Sequence, residues 1–280
     1  SNFEISGFEP VTVAANGGKG TVSVNFSPTL EGKEESILTL VSNDPSKPAF
    51  TITVTGIGFD PQNINVPKDY ATIQEAIDAA DDGDTILVGP GTYAGGLDTK
   101  NKWLTIKSTD GAESTIIHGD GGNTGLIIRS IESLEDVIII EGLQFTNHRQ
   151  ALNSARSPYK VMVRNCIFYK NQSSTGGVDG SAIHSQSKMT VESCQFIENG
   201  CSSDGFGGAI HGNSAGYPII QNSVFVRNFV KRDGGALQRS GPVTNCIFIG
   251  NRADENGPDM NITGPVKNSI FWDMKAPLSS

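Results

Sequence analysis

Gly207–Asn228 reads GGAIHGNSAGYPIIQNSVFVRN, and Gly180–Asn199 just before it reads GSAIHSQSKMTVESCQFIEN. Each opens on small residues and Ala-Ile-His, and each closes with Phe three positions before Asn. The phrase extends in both directions. Phe145, Phe168, Phe196, Phe225, Phe248 and Phe271 follow one another at intervals of 23, 28, 29, 23 and 23 residues. His148, Asn171, Asn199, Asn228 and Asn251 stand three residues after the first five of them. A second landmark runs through Ala151-Leu152-Asn153, Ala182-Ile183-His184, Ala209-Ile210-His211, Ala236-Leu237-Gln238 and Asp259-Met260-Asn261.

A period of this size means stacked structural units. Each unit holds two or three short period-2 segments and no helical pattern, so the unit is one coil of strands. Like strands of successive coils then pair in parallel, about 4.8 Å apart. Strand-to-parallel-strand crossovers are right-handed in nearly all cases. The sequence therefore predicts an all-β chain, a right-handed parallel β-helix of about eight coils. Phe would stack on Phe inside it, Cys on Cys or Ser, and Asn on Asn at a corner. The intervals of 28 and 29 are 23-residue coils with insertions, chiefly SSTGGVDG and CSSDGFGG.

The domain plan follows from the remaining patterns. Residues 1–59 show alternation in GTVSVNFSP, SILTLVSNDP and AFTITVTGIG, which predicts part of a small β-sandwich. Residues 60–63 read as a linker, and 64–280 as the β-helix. One helix is expected near 72–82: Thr72 and Glu75 form a capping box, Ile73, Ala76, Ile77 and Ala80 make an apolar stripe, and Gly83 is placed to end it.

Composition narrows the function. The chain has 280 residues and net charge −9. Residues 1–139 carry −12 and residues 140–280 carry +3. The acidic front half argues against nucleic acid, and no apolar run is long enough for a membrane span. Cys166, Cys194, Cys201 and Cys246 follow no metal-ligand spacing. Cys166 and Cys194 would meet on adjacent coils as thiols or as a disulfide. Cys201, in an insertion, is expected to be the reactive or paired one.

NCIFYKN, SCQFIEN and NCIFIGN, with GGAI and GGAL, resemble the right-handed parallel β-helix repeats of the pectin-lyase-like superfamily. YATIQEAIDAADDGDTILVGPGTY resembles the capping segment that opens many such helices, pectin methylesterases included. FSPTLEGKEESILTLVSNDPSKPAFTITVTGIG resembles the Hydin-type immunoglobulin-like domains of large bacterial surface proteins, with the opening strands missing. NSIFWD resembles the final coils of bacterial surface β-helix proteins. The resemblance implies a secreted or cell-surface bacterial location and an excerpt of a longer protein. The superfamily's fold hosts lyases, hydrolases, esterases, epimerases, adhesins and spacers, so it leaves the activity open. The catalytic motifs of pectate lyases, polygalacturonases, pectin methylesterases and C5-epimerases are absent from the sequence.

Several residues are candidates for chemistry. His184 and His211 would form an outward column with Asn153 and Gln238, able to meet sugar hydroxyls or a metal; a plain polar ladder is the alternative. Phe206, in a Gly-rich loop, is a candidate sugar-stacking ring or else loop core. Trp103, Tyr159, Tyr217 and Trp272 are further aromatic candidates. Asp179, Asp204 and Asp233, with Asp254, are candidate calcium ligands or solvated turn residues; no cofactor is required by the sequence. Lys231 and Arg239, with Arg232 nearby, are the catalytic candidates if the chain is a lyase. The leading expectation is a non-catalytic β-helix stalk or glycan-binding surface. A lyase on acidic polysaccharide is the rival. A self-assembling surface fibre, joined through the open end of the β-helix or the incomplete sandwich, is the third reading.

Overall fold

The computed structural model describes residues 3–6, 21–27, 32–58, 60–129, 137–173, 179–202, 204–213, 217–262 and 264–272, without the side chains of residues 6 and 157–159. The chain divides into two compact units, Ser1–Pro61 and Gln62–Ser280.

In the first unit, Gly32–Val41 pairs antiparallel with Ala49–Gly58, and Phe3–Ser6 with Ser23–Phe26. The long hairpin turns where Asp44 Oδ1 accepts from the Ser46 N–H and hydroxyl, the local bonding that makes Asx residues turn formers. Phe3 stacks on Phe26 at 4.6 Å, and the Phe26 ring lies where a side chain at Gly56 would be.

The second unit is a parallel β-helix. Its Phe-bearing ladder has eight strands, running from Gly91–Ala94 through Gln144–Thr146 to Ile270–Trp272. Register pairs Phe145, Phe168, Phe196, Phe225, Phe248 and Phe271 in one line. Their rings stack at 4.7–5.4 Å and within 8° of parallel. Phe145 to Phe248 are wholly buried. A second sheet carries two rows of strands, joined where Gln150–Arg164 and Ile183–Glu192 run through both. A short ladder of Gln172–Ser173, Gly200–Cys201, Phe229–Val230 and Arg252–Ala253 completes the wall.

The corners explain the repeated Asn. Asn199 is buried; its Oδ1 accepts from the backbone N–H and the Nδ2 of Asn171, and its Nδ2 donates to the carbonyl of Phe168. Asn171, Asn228 and Asn251 repeat the pattern. His148 closes the lower end, its N–H donating to Asn171 and its ring held by Asn123 and the Ile117 carbonyl. That ring fills space that side chains at Gly95, Gly119 and Gly125 would occupy.

The helix spans Ile73–Ala79, with both bonds of the Thr72–Glu75 capping box present. It ends three residues earlier than the sequence predicts, at Ala80 rather than Gly83. The reason is distant in sequence: Lys102 Nζ donates to the carbonyls of Ile77, Asp78 and Ala80 and finishes the helix. Gly83 instead takes a positive φ beneath the Trp103 ring. Cys201 also departs from expectation. It belongs to a strand, buried against Val230 and Ala253, and is not an exposed insertion residue. All four cysteines are buried thiols.

Candidate functional site

Parallel register aligns Asn153, His184, His211, Gln238 and Asn261 one coil apart. Ile183 and Ile210 fill the core, so strand alternation turns both imidazoles away from it. The two rings stack at 5.4 Å with a 20° tilt. They differ in exposure. His184 and Asn153 are half-buried, whereas His211 and Gln238 are buried.

The cover comes from the segments that cross over this face. Gly180, Gly207 and Gly234 take φ of 64°, 64° and 72°. A Cβ on them would lie 2.1, 2.4 and 2.2 Å from the carbonyl oxygens of Ile183, Ile210 and Leu237. Each crossing segment therefore lies directly on the strand it precedes, and only glycine fits there. This is the reason for the Gly in GSAI, GGAI and GGAL.

Asp179 and Phe206 ride on those segments. Asp179 Oδ1 accepts from the Phe206 N–H at 3.0 Å, and Oδ2 is 3.4 Å from His211 Nδ1. That second approach lacks hydrogen-bond alignment, because His211 Nδ1 and Gln238 Oε1 are both buried without a bonded partner among the described residues. Gln150 Nε2 donates to the Asp179 carbonyl, and Asn153 Nδ2 to Gln150 Oε1. The Phe206 ring lies 6.1 Å from His211, with the Arg232 guanidinium 4.2 Å from its centroid. The ring is thus engaged within the chain by a cation–π contact. Burial holds the Asp179 carboxyl above its usual range, against the Phe206 N–H that favours the anion. Burial, with neighbouring His184 and Arg239, pushes His211 down to about 3. Burial also lowers His184. At neutral pH both imidazoles are uncharged.

Of the other candidates, Lys231, Asp204 and Asp233 have partners of their own, whereas Arg239 neighbours the cluster. Lys231 Nζ holds Asp204 at 2.8 Å, both side chains more than half exposed. Asp233 Oδ1 accepts from Asn256 Nδ2 at 2.8 Å. Arg239 is exposed. Among the described residues no three His, Cys, Asp or Glu side chains are grouped to hold a metal. Trp103 packs against the core near the capping helix, while Tyr217 and Trp272 are exposed. The side chain of Tyr159 lies outside the described residues.

A charged row escaped the sequence reading. Lys107, Glu141, Arg164 and Glu192 pair in register on an outward face. Arg164 Nη2 donates to Glu141 Oε2 at 2.8 Å, and Lys107 Nζ stands 3.8 Å from the same oxygen. Arg164 Nε is buried without a partner among the described residues. The signal was present: Glu141, Arg164 and Glu192 each stand two residues before Leu143, Cys166 and Cys194 of the repeated triplet.

No family model matches the chain, and no curated protein does. Among solved structures it is similar to the PL6 family alginate lyase AlyGC, with 17% identity and a TM-score of 0.44. A point variant of that lyase aligns with 14% identity and a TM-score of 0.38. Each likeness covers 78% of this chain and 38% of the other.

Proposed function

We propose that this chain is a non-catalytic module of a larger secreted or surface-exposed bacterial protein. Its β-helix serves as a stalk with a glycan-contacting outer surface, and the N-terminal unit is an immunoglobulin-like spacer. One observation carries the non-catalytic part. Most of the groups that would do acid–base work beside the His column are already held within the chain, exposed Arg239 being the exception. His211 is buried under Asp179 and Phe206, Arg232 lies on Phe206, and Lys231 is paired with Asp204. A general base needs access to the proton it removes, and His211 has none. Calcium is not required by this reading.

The row around Arg164 favours a second reading, a lyase on acidic polysaccharide. Arg164 gives one nitrogen to Glu141 while its side chain stays 38% exposed, so a guanidinium stands at the surface where it can meet a substrate carboxylate. One assay separates the two. The protein is incubated with a panel of uronate polysaccharides, with and without calcium, and absorbance of the unsaturated product is followed. The module reading expects glycan binding without product. Product that disappears in Arg164→Ala or Arg239→Ala replaces it with the lyase.

A further inference from the structure

A second surface feature lies at the corner after the Phe column. Lys170, Glu198, Arg227 and Gly250 follow the Phe of successive coils by two positions, each with φ near 50–58°. Lys170 and Arg227 both lean on Glu198, at 3.6 Å in each case. At Gly250 the row lacks a side chain. Beside it lies a shallow, open cleft of about 320 Å³, lined by Arg227, Asn228, Phe229, Gly250 and Arg252. Its floor includes Phe229, half-buried because its ring packs over Gly200, where a Cβ would stand 2.6 Å from the ring. Arg227 and Arg252 each meet one carboxylate through Nε, Glu198 at 3.6 Å and Asp254 at 3.5 Å. Their side chains remain 56% and 71% exposed.

The combination is specific: two exposed guanidinium forks, an aromatic ring between them in sequence, and room for one pyranose-sized unit. A guanidinium binds carboxylate or sulfate through paired N–H donors. We propose that this cleft binds one anionic sugar unit of a polysaccharide, its carboxylate or sulfate taken by Arg227 and Arg252 and its ring set against Phe229. This rests on the glycan-contacting reading above and adds to it a place and a charge requirement.

The test is calorimetric titration of the whole chain with three oligosaccharide sets: uronate, sulfated and neutral. Binding of a carboxylated or a sulfated set is expected, and which of the two binds identifies the anion. Arg227→Ala and Arg252→Ala are each expected to weaken it about tenfold, the worth of one charge-assisted contact. Raising the salt should weaken it further, because the cleft is open to solvent. Gly250→Glu should abolish it by filling the cleft with a carboxylate; Glu198 already adopts this corner at φ 54°, so the fold should persist, as a thermal melt would show. Lys68→Ala, an exposed charge elsewhere, should leave affinity unchanged. Binding that survives all three cleft variants overturns this site alone. Binding confined to neutral sugars does the same, with the glycan reading intact. No binding to any set overturns both.

Discussion

Asn228 Oδ1 accepts from both the backbone N–H and the side-chain Nδ2 of Asn199, at 3.0 Å each. The pair spans one coil and carries no exposed atom of consequence, since both residues are fully buried. Each Asn therefore satisfies a corner N–H of the coil before it, and the register of one coil is read by the next.

Replacing Asn199 with Ala removes the acceptor for the Asn171 N–H and Nδ2 and the donor to the Phe168 carbonyl. Buried groups left unpaired cost about 1–3 kcal/mol each. Asn199→Ala is expected to lower stability by about 3 kcal/mol or more, read from urea denaturation. A loss below about 1 kcal/mol, the worth of a single average hydrogen bond, would show that the ladder is ornamental.

The interior was legible because stacked coils put like beside like. Phe at a fixed beat and Asn three residues on admit few other arrangements, and the rings and amides lie where the beat puts them. What failed to show was whatever depends on contacts outside the beat. Lys102 finishes a helix that lies 22 residues away at Ala80, and no local signal announces that. Asp179 and Phe206 fall in insertions, whose path is set by positive-φ glycines, so the burial of His211 beneath them was invisible. Cys201 looked like insertion only because CSSDGFGG interrupts the repeat at that point; its strand partner Ser173 is set by register. The Lys107–Glu192 row was legible in principle, since its charges keep one repeat position, but reading by known motif passed over it.

Acid should loosen this fold through its histidines. An unfolded imidazole takes its proton near pH 6.5, whereas His211 stays neutral down to about 3. Between those values the unfolded chain binds the extra proton, so the contribution is full above about pH 6.5 and is lost as pH falls. His148 and His184 lean the same way, each lowered chiefly by burial. Asp179 opposes them, because its raised carboxyl takes up a proton in the fold first and offsets part of the loss. Gln238 occupies the same column position in the next coil, so His211→Gln should fit. The variant should lose about 2 kcal/mol less than the wild type between pH 7 and pH 5. Parallel pH curves for the two proteins in urea would refute a buried neutral His211.

Calcium should leave the fold untouched. Asp179, Asp204 and Asp233 are each engaged separately, with the Phe206 N–H, Lys231 and Asn256. A cation bound only by the folded chain at a hundred times its dissociation constant would add about 2.7 kcal/mol. Thermal melts in excess calcium and in chelator are therefore expected to coincide. A higher melting temperature in calcium would place a site on the crossing segments, and loss of that gain in Asp179→Asn would locate it.

The cysteines give the last prediction. Cys166 and Cys194 donate to carbonyls of their own and the preceding coil, and burial raises the Cys194 thiol well above its ordinary value. Burial likewise raises Cys246, while Cys201 sits against Val230. The thiolate is the reacting form, and packing shields all four sulfurs from reagent, so each reacts only when its coil opens. A thiol-specific reagent should therefore modify the native chain slowly at every position and all four cysteines promptly in denaturant. Cys201 is the informative one, because its place in an insertion suggests exposure and its strand pairing denies it. Mass spectrometry of the briefly treated native protein should find the Cys201 peptide unmodified. Rapid labelling there, with Cys166 and Cys194 protected, would mean that the short ladder from Gln172 to Ala253 opens on its own while the Phe column stays closed.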